Sequence, residues 1–487
     1  MEILLHVSDK MIGKIDLLME RVPYLAEEIT AVDYDIQSSI IRVILDHEDS
    51  SKRQELEQHY DELCASLAQT RVIGKTVVRD NLNDDTVEHR AEPVPSLPAA
   101  PYLDETDIVL LEQLDRAFID IARRHGAELR EYPSTFGKSN MVRNQYHINF
   151  PQNIIGTATV PHNYKHINEF RQQALSHSHH QSLVPTGEIL QPCICYHCYE
   201  EHQGSRSSQR RVLTAKGRCF RNEISWRKDA FRRTEFTMRE IVFVGDQQWV
   251  AETRDNIMHD VWALFDRIGL HGKIETATDP FFFSQDVKTK GTYQMVSNAK
   301  YELAAVRTTG QESSIASFNY CEDVLCGKYD IADEQGEQLY SGCVAFGTDR
   351  WKEAFLDRHG RDRSLWPSFD EQTGVAVQKG QSQSTTLVQQ SVLKHDAEQT
   401  VVDILNEIFE GKLEVGREDD LNKAGLDSIT TIDLIVGLEN KLDIQIRDQD
   451  LTVANLTSIR SITDMLNTGY GMAPVEEKQG VASGQTK

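Results

Sequence analysis

Apolar residues recur along this 487-residue chain at two spacings, and the points where one gives way to the other divide it. Ile3 to Val7 reads as a short strand, Ile36 to Leu45 carries a helical period, and a charged helix is predicted around Gln54 to Leu67. Pro93, Pro95, Pro98 and Pro101 follow in close succession, and because proline stops helix continuation a boundary falls near residue 92. Beyond it Ile108, Leu111, Leu114, Phe118 and Ile121 share one face of a helix predicted from Asp104 to His125. From Ala127 to Phe346 the period drops to two, in strands separated by basic or glycine-containing loops, among them Leu129 to Tyr132, Gly217 to Glu223 and Phe236 to Val244. A large antiparallel sheet is expected there, closed by a helix from Trp351 to Arg358.

Past that helix the pattern loses its apolar content. Residues 367–395 are rich in Gln, Ser, Thr and Gly, as in QKGQSQSTT, and read as a linker that does not fold alone. Val401, Leu405, Ile408 and Phe409 then form one helical stripe, Ile432, Ile435, Leu438 and Leu442 form another, and LTSIRSITDML supplies a third helix. Residues 471–487 read as a frayed tail. The expected class is α+β: a region 1–92 with no interpretable motif, a domain over 93–366 with an antiparallel sheet flanked by helices, the linker, and a small all-α bundle over 396–470.

Charge narrows the partners. The chain has 76 acidic and 52 basic residues, a formal net charge of −24, which argues against a broad nucleic-acid surface and hence against tRNA. No run approaches the roughly 20 apolar residues that span a bilayer, and MEILLHVSDKMIGKID lacks the basic head and apolar core of a signal peptide, so no membrane partner and a cytoplasmic location are expected. Eight cysteines are too sparse for a disulfide scaffold and read as buried thiols, metal ligands or reactive groups.

Within 396–470 there are 16 acidic against 6 basic residues, so the helical module is strongly acidic. Its segment Gly425-Leu426-Asp427-Ser428-Ile429 resembles the attachment motif of acyl and peptidyl carrier proteins. The resemblance implies that Ser428 carries 4'-phosphopantetheine, installed by a phosphopantetheinyl transferase. Independently, Ser428 falls where a helix begins, and free N–H groups at a helix start favour a phosphodiester, although a serine there also serves simply as a cap.

The segment GRCFRNEISWRKDAFRRTEFTMREIVFVG reads as two strands around a basic loop. Cys219, Arg221 and Glu223 alternate onto one face of the first strand, and Phe236, Met238, Glu240 and Val242 onto one face of the second. A solvated hairpin fits these residues, and so does a phosphate grip built on arginine forks. The pattern Phe220-Arg221-Asn222-Glu223 with Arg232, Phe236 and Glu240 resembles motif 2 of the class II aminoacyl-tRNA synthetases. GCVAFGTDRWKEAF resembles their motif 3, and Arg130 to Pro133 their motif 1. The resemblance implies ATP binding by Arg221 on the α-phosphate, Glu223 at the adenine end, Arg232 on the terminal phosphates, Phe236 stacked on the base and Arg350 facing the adenine or γ-phosphate. It makes Arg221, Glu223 and Arg350 the catalytic set, has Gly347 admit a close backbone approach, and implies a homodimer built through motif 1.

Cys195, Glu240 and Cys343 lie on separate strand-like segments, and in this setting they resemble the zinc ligands of atypical seryl-tRNA synthetases and the related amino acid:carrier-protein ligases. Two thiolates and a carboxylate suit tetrahedral zinc with one position open. A local knuckle of Cys193, Cys195, His197 and Cys198, with Cys321 and Cys326 as a second pair, competes for the same chemistry. DPFF at 279–282, ASFN at 316–319 and HG…WP at 359–367 extend the likeness. For magnesium, Ser314 to Ser317 stand where the family shows an acidic residue, which leaves Glu302, Ser317 and Asn319 as candidates for magnesium or substrate. The implied activity is ATP-dependent activation of a small amino acid, glycine or alanine favoured and serine next, with transfer to the carrier of the same or a partner chain and onward to an unnamed acyl acceptor. A tRNA ligase and a non-catalytic scaffold presenting a carrier are the alternatives.

Overall fold

A computed structural model describes residues 1–47, 50–68, 72–82, 102–176, 182–281, 283, 286–369, 397–409, 415–421, 424, 426, 428–442, 444, 446–447, 450–451 and 453–470. The expected linker, apart from residues 367–369, the proline-marked boundary and the tail lie outside them. The chain forms two compact units, one of Met1–Val287 with Ala299–Glu371, the other of Lys288–Asn298 with Gln372–Lys487.

The first unit opens with a small module. Strands β1 (Glu2–His6), β2 (Ile29–Asp35) and β3 (Ile40–Leu45) form an antiparallel sheet in the order β1-β3-β2. Helix α1 (Ile15–Arg21) follows β1 in the chain, and α2 (Ser50–Leu67) adds Leu56, Tyr60 and Leu67 to a core with Ile3, Leu5, Ile41 and Val43. The helical expectation for Ile36 to Leu45 is therefore corrected: a turn precedes a strand. Asp35 accepts from the Gln37 N–H at 2.9 Å and the Ser38 hydroxyl at 2.7 Å, which closes the turn. The β-branched residues that follow prefer the pleated surface, where Ile41 and Val43 lie opposite Leu5 and Ile3.

The main sheet has eight strands, β4 (Val77–Asp80), β5 (Glu128–Arg130), β9 (Arg211–Phe220), β10 (Glu235–Gly245), β11 (Gly272–Thr276), β12 (Lys300–Val306), β13 (Glu312–Glu322) and β14 (Tyr340–Gly347). Their order is β4-β11-β12-β13-β14-β10-β9-β5, antiparallel except for the β5–β9 pair. A second small sheet holds β6 (Thr135–Phe136), β8 (Val184–Leu190) and β7 (Gly156–Thr159) in that order. Helices α3 (Glu105–Arg124), α4 (Tyr164–Leu175), α5 (Cys195–Glu201), α6 (Gln247–Arg267) and α7 (Thr348–His359) complete the longer elements of this unit. The start of α3 is fixed by a capping box in which Asp104 and Asp107 exchange hydrogen bonds. Among the described residues no helix is long and apolar enough to cross a membrane.

One face of the sheet is dry. Ile241, Phe243, Val344, Phe346 and Phe318 meet Leu114 and Phe118 of α3, Val261 and Phe265 of α6, and Trp351 and Phe355 of α7. Phe118 stacks on Phe346 with centroids 4.3 Å apart and meets Trp351 edge-on at 5.2 Å. Asp115 of α3 accepts from Arg239 Nε at 2.6 Å and from Lys216 Nζ at 2.8 Å, which bolts the helix to β9 and β10. Burial alone would raise the Asp115 carboxyl, but Arg239 and Lys216 overcome it and hold it below its ordinary value.

In the second unit α8 (Ala397–Ile408), α9 (Ser428–Leu442) and α10 (Ile459–Tyr470) bury Val401, Ile404, Leu405, Leu434, Leu438, Ile462 and Leu466. A Cβ at Gly437 would stand 2.8 Å from Ile404 Cγ2, so glycine sets how closely α8 and α9 approach.

Asp115→Ala leaves Arg239, 4% exposed, without its carboxylate. The expected loss is about 3 kcal/mol or more, read as a lowered urea midpoint, against a near-zero change for an exposed ion pair.

Candidate functional site

The face of the sheet turned away from α3, α6 and α7 carries the polar chemistry, and the strand registers assign it. Glu302, Ser317, Ala345, Glu240 and Ala215 form one row across β12, β13, β14, β10 and β9. Lys300, Asn319, Cys343, Val242 and Leu213 form the next row, two residues along on each strand and so on the same face. The wide separation in sequence of Glu240, Cys343, Asn319 and Glu302 disappears in this register.

Over these rows lie α5 and the residues before it. Cys195 opens a helix rather than sitting on a strand, a correction to the expectation; its neighbours Cys198 and Tyr199 are buried beneath the helix, which a strand would have turned to opposite sides. Donor atoms of Cys193, Cys195 and Glu240 all lie within 4.8 Å of one another, the one such group among the described residues. Cys193 and Cys195 sulfurs are 3.6 Å apart, and the Ile194 N–H donates to Glu240 Oε1 at 2.8 Å. Cys343 stands outside that tight group but within hydrogen-bonding reach of Cys195 and Cys321, whose thiols hold it well below its ordinary value. Asn319 Nδ2 donates to Cys343 Sγ at 3.4 Å. Burial, with Cys343 nearby, raises the Glu240 carboxyl to about 8.

The local knuckle does not assemble as a set. The His197 ring stacks on Tyr132 at 5.4 Å and meets Phe136 edge-on at 4.6 Å, and burial lowers its pKa to about 4. Cys198 pairs with the Tyr132 hydroxyl, so of that cluster only Cys193 and Cys195 face Glu240.

A group of arginines occupies the end of the site where β9 stops. Strand β9 ends at Phe220, so Arg221 and Glu223 belong to the loop rather than to the alternating face expected for them, and Cys219 is buried in the sheet's packing instead. The Arg221 guanidinium lies 5.2 Å from the Phe236 ring centroid and donates to the Pro192 carbonyl at 3.3 and 3.4 Å. Glu223 pairs with Arg232 at 3.4 Å. Arg350, in the first turn of α7, donates to the carbonyls of Phe231 at 2.8 Å and Ser314 at 2.9 Å. Burial depresses the Arg350 pKa, and the next contribution is the Arg221 guanidinium, which places the two cations in one field. Within the protein a Cβ on Gly347 would meet Arg350 Cδ at an ordinary 3.5 Å, whereas Gly342 has no room for one against the Phe243 ring.

Glu302, Ser317 and Asn319 all reach this face, with different partners. Glu302 pairs with Lys300 at 3.2 Å, and Asn319 donates to Ser317 Oγ at 3.2 Å as well as toward Cys343. Lys300 and Arg307 escaped the reading of the sequence. Lys300 is buried and also holds Asp279 at 2.7 Å; its only signal was a position two residues from Glu302 on the same strand. The Arg307 guanidinium sits 3.6 Å from the Phe231 ring centroid and 3.6 Å from Asp229, bracing the loop from the turn after β12, a contact that no local pattern announces. Ser428 is the first residue of α9, while Gly425 and Asp427 of its motif lie outside the described residues.

This arrangement defines a class II synthetase-like domain with a carrier module on the same chain. The fold is shared with the M. kandleri SerRS solved with A. aeolicus tRNASec, at a TM-score of 0.55 and 19% identity over 76% of each chain. Residues 399–466 match the family described as "Phosphopantetheine attachment site". Amino acid--[acyl-carrier-protein] ligase 1 of Bradyrhizobium diazoefficiens is 30% identical over 257 residues, 52% of this chain and 78% of the relative. The type-2 serine--tRNA ligase of Methanocaldococcus jannaschii is 24% identical over 191 residues, 38% of this chain and 37% of that one. The chain belongs to the amino acid--[acyl-carrier-protein] ligase family.

Between the ordinary carboxyl value and about 8, the folded chain keeps a proton on Glu240 that the unfolded chain has released. Stability of metal-stripped protein is therefore expected to fall as pH rises through that interval and to level off above it, and Glu240→Gln should flatten that part of the profile. Urea midpoints with chelator at about pH 6 and about pH 8 check this; identical pH profiles for the two proteins would contradict it.

Proposed function

We propose that the chain activates a small amino acid as its adenylate and transfers the acyl group to the phosphopantetheine thiol of the module that begins its second long helix at Ser428. The observation that carries this reading is the convergence of Arg221, Arg350, Glu223 and Arg232, where β9 stops, with the buried thiols and Glu240 on the polar face of the same sheet. The substrate carboxylate oxygen attacks the α-phosphorus of ATP and pyrophosphate leaves; thiol attack on the acyl carbonyl then releases AMP. Arg221 and Arg350 neutralise charge that develops at the transferring phosphate, which asks for positioned cations and no covalent side chain. Phe236, already capped by Arg221, offers its ring to the adenine.

Buried thiols with a carboxylate fit zinc, and Cys195, Glu240 and Cys343 are the proposed ligands. Bound there, zinc would supply a Lewis acid for the substrate's α-amino group. Cys343 is preferred over Cys193 because hydrogen bonds from two neighbouring thiols already favour its thiolate. Magnesium commonly uses one carboxylate and the substrate phosphates, for which Glu302 is the available acid. Glycine or alanine, then serine, are the proposed substrates.

ATP–pyrophosphate exchange across the amino acids tests the first half-reaction. Arg350→Ala should lower exchange by about 100-fold or more, as loss of a positioned charge does. Ser428→Ala should exchange normally and never acquire an acyl group by mass, and loss of exchange in that variant would overturn the division of labour. For the metal, Cys343→Ala should lose zinc while Cys193→Ala and Cys198→Ala keep it. Retention by Cys343→Ala with loss by Cys193→Ala would move the third ligand to Cys193.

A further inference from the structure

The module of residues 1–67 is tied to the arginine loop by contacts that the proposed reaction does not yet use. Its core contains one residue from outside that range, Trp226, which packs against the cluster of Ile3, Leu5, Val22, Ile41 and their neighbours. Trp226 lies in the turn Ser225–Arg227, between Glu223 and Arg232 of the loop. Its indole N–H is buried with no acceptor among the described residues, so the contact is one of apolar packing.

A second tie runs from α1. Arg21, 5% exposed at the end of that helix, donates to the Phe281 carbonyl and, at 3.0 Å, to its own helix at Leu17. Phe281 is buried and stacks on Phe150 at 5.4 Å. The same corner places Glu20 and Tyr24 beside the loop. Burial raises the Glu20 carboxyl, and Arg21, Arg227 and Arg232 pull it back. Burial likewise raises Tyr24, followed by the Glu223 carboxylate, with Arg227 and Arg232 opposing. Yet the Glu20 side chain is 56% exposed and Tyr24 37% exposed, which puts both on an open rim and not in a sealed core.

Residues 221–233 contain Arg221, Arg227, Lys228, Arg232 and Arg233 against Glu223 and Asp229. Like charges so close repel, and the Arg227 pKa is depressed by burial and then by Arg232. A loop of this charge needs something besides the nucleotide to keep it folded over the sheet. We infer that the N-terminal module is a working part of the nucleotide site, with Trp226 as the positioning residue that anchors the loop and Glu20 and Tyr24 flanking Arg227 and Arg232. The inference rests on the reading that this loop grips ATP. Its consequence is a split in kinetics: an unanchored loop must be ordered when ATP binds, which weakens binding without altering the charges that act once it is bound.

The test uses the full chain with Trp226→Ala, Trp226→Phe and Glu20→Gln. Trp226→Ala should raise the KM for ATP in pyrophosphate exchange about tenfold with kcat within about twofold, Trp226→Phe should stay within about threefold of the parent, and Glu20→Gln should fall between them. Trypsin supplies a readout independent of catalysis: cleavage after Arg227, Lys228, Arg232 or Arg233 should be about tenfold faster in Trp226→Ala, while the thermal midpoint shifts little. Parental KM and parental cleavage in Trp226→Ala would overturn the inference, and so would a fall in kcat matched by a lowered midpoint in both Trp226 variants, which marks a merely structural role. If the parent exchanges pyrophosphate with no amino acid, the proposed reaction fails, and the cleavage rates alone decide whether the module holds the loop.

Discussion

The catalytic unit depends on the two-residue alternation of β10 and on its register with β9 and β14. Arg239 points to the helical face and reaches Asp115, while Glu240 points to the other and meets the thiols. A slip of one residue would exchange these environments, burying a carboxylate among Phe243's neighbours and an arginine among cysteines. The apolar half of the pattern therefore enforces the polar half. Ile241 and Phe243 are fully buried against α3 and α6, and their cost of exposure locks the parity that sets Glu240 beside Cys195. Cys343 and Asn319 inherit their places from the same register, one strand and two strands away.

Within that frame the site face holds charges that are only partly compensated. Lys300 is buried, but Asp279 and Glu302 more than offset its desolvation. The arginines differ: Arg221 and Arg350 turn to carbonyl oxygens and an aromatic ring instead of to carboxylates of their own. Cations held by neutral partners keep their charge available, whereas a full salt bridge would have to be broken before a phosphate could bind. At the other end burial raises Glu240, while hydrogen bonds from Cys195 and Cys321 lower Cys343. Opposite displacements in two adjacent acids are the pattern expected of groups arranged for a ligand they do not themselves provide.

Long periodic elements were legible in the sequence because a single period runs through them without competition. Helix α3 was expected from Asp104 to His125, and those two residues are its caps; α7 extends the expected Trp351 to Arg358 by about a turn. Shorter stretches failed where two periods fit the same residues. Ile36 to Leu45 offered helical spacing, and a turn set by Asp35 decided for a strand. Around Cys195 the pattern suggests a strand because α5 has only seven residues, too few to establish a helical period. The residues carrying the motifs were visible as types and spacings, but their partners were not: that Arg221 caps Phe236, or that Arg307 covers Phe231, follows from the sheet's register and leaves no mark nearby in the chain. Cys193 illustrates the limit, since it appeared with His197 and Cys198 in a local cluster that the aromatic ring of Tyr132 divides.

The N-terminal region showed no motif, and its structure explains why its importance would not show as one. It is fastened to the rest of the first unit at three separated places: β4 pairs with β11 at the sheet's edge, Arg21 reaches the Phe281 carbonyl, and Trp226 enters the module's own core. Each tie uses ordinary means, a backbone ladder, one guanidinium and one indole, and each joins residues more than 150 positions apart. Contacts of such separation are costly to form and are kept only where the folded state gains from them. An appendage with a role of its own needs a single linker, and its hydrophobic core needs no residue borrowed from a loop that carries five cations. The borrowed residue lies between Glu223 and Arg232, so a side chain of the loop is seated in the core of the module, and the two share that packing contact.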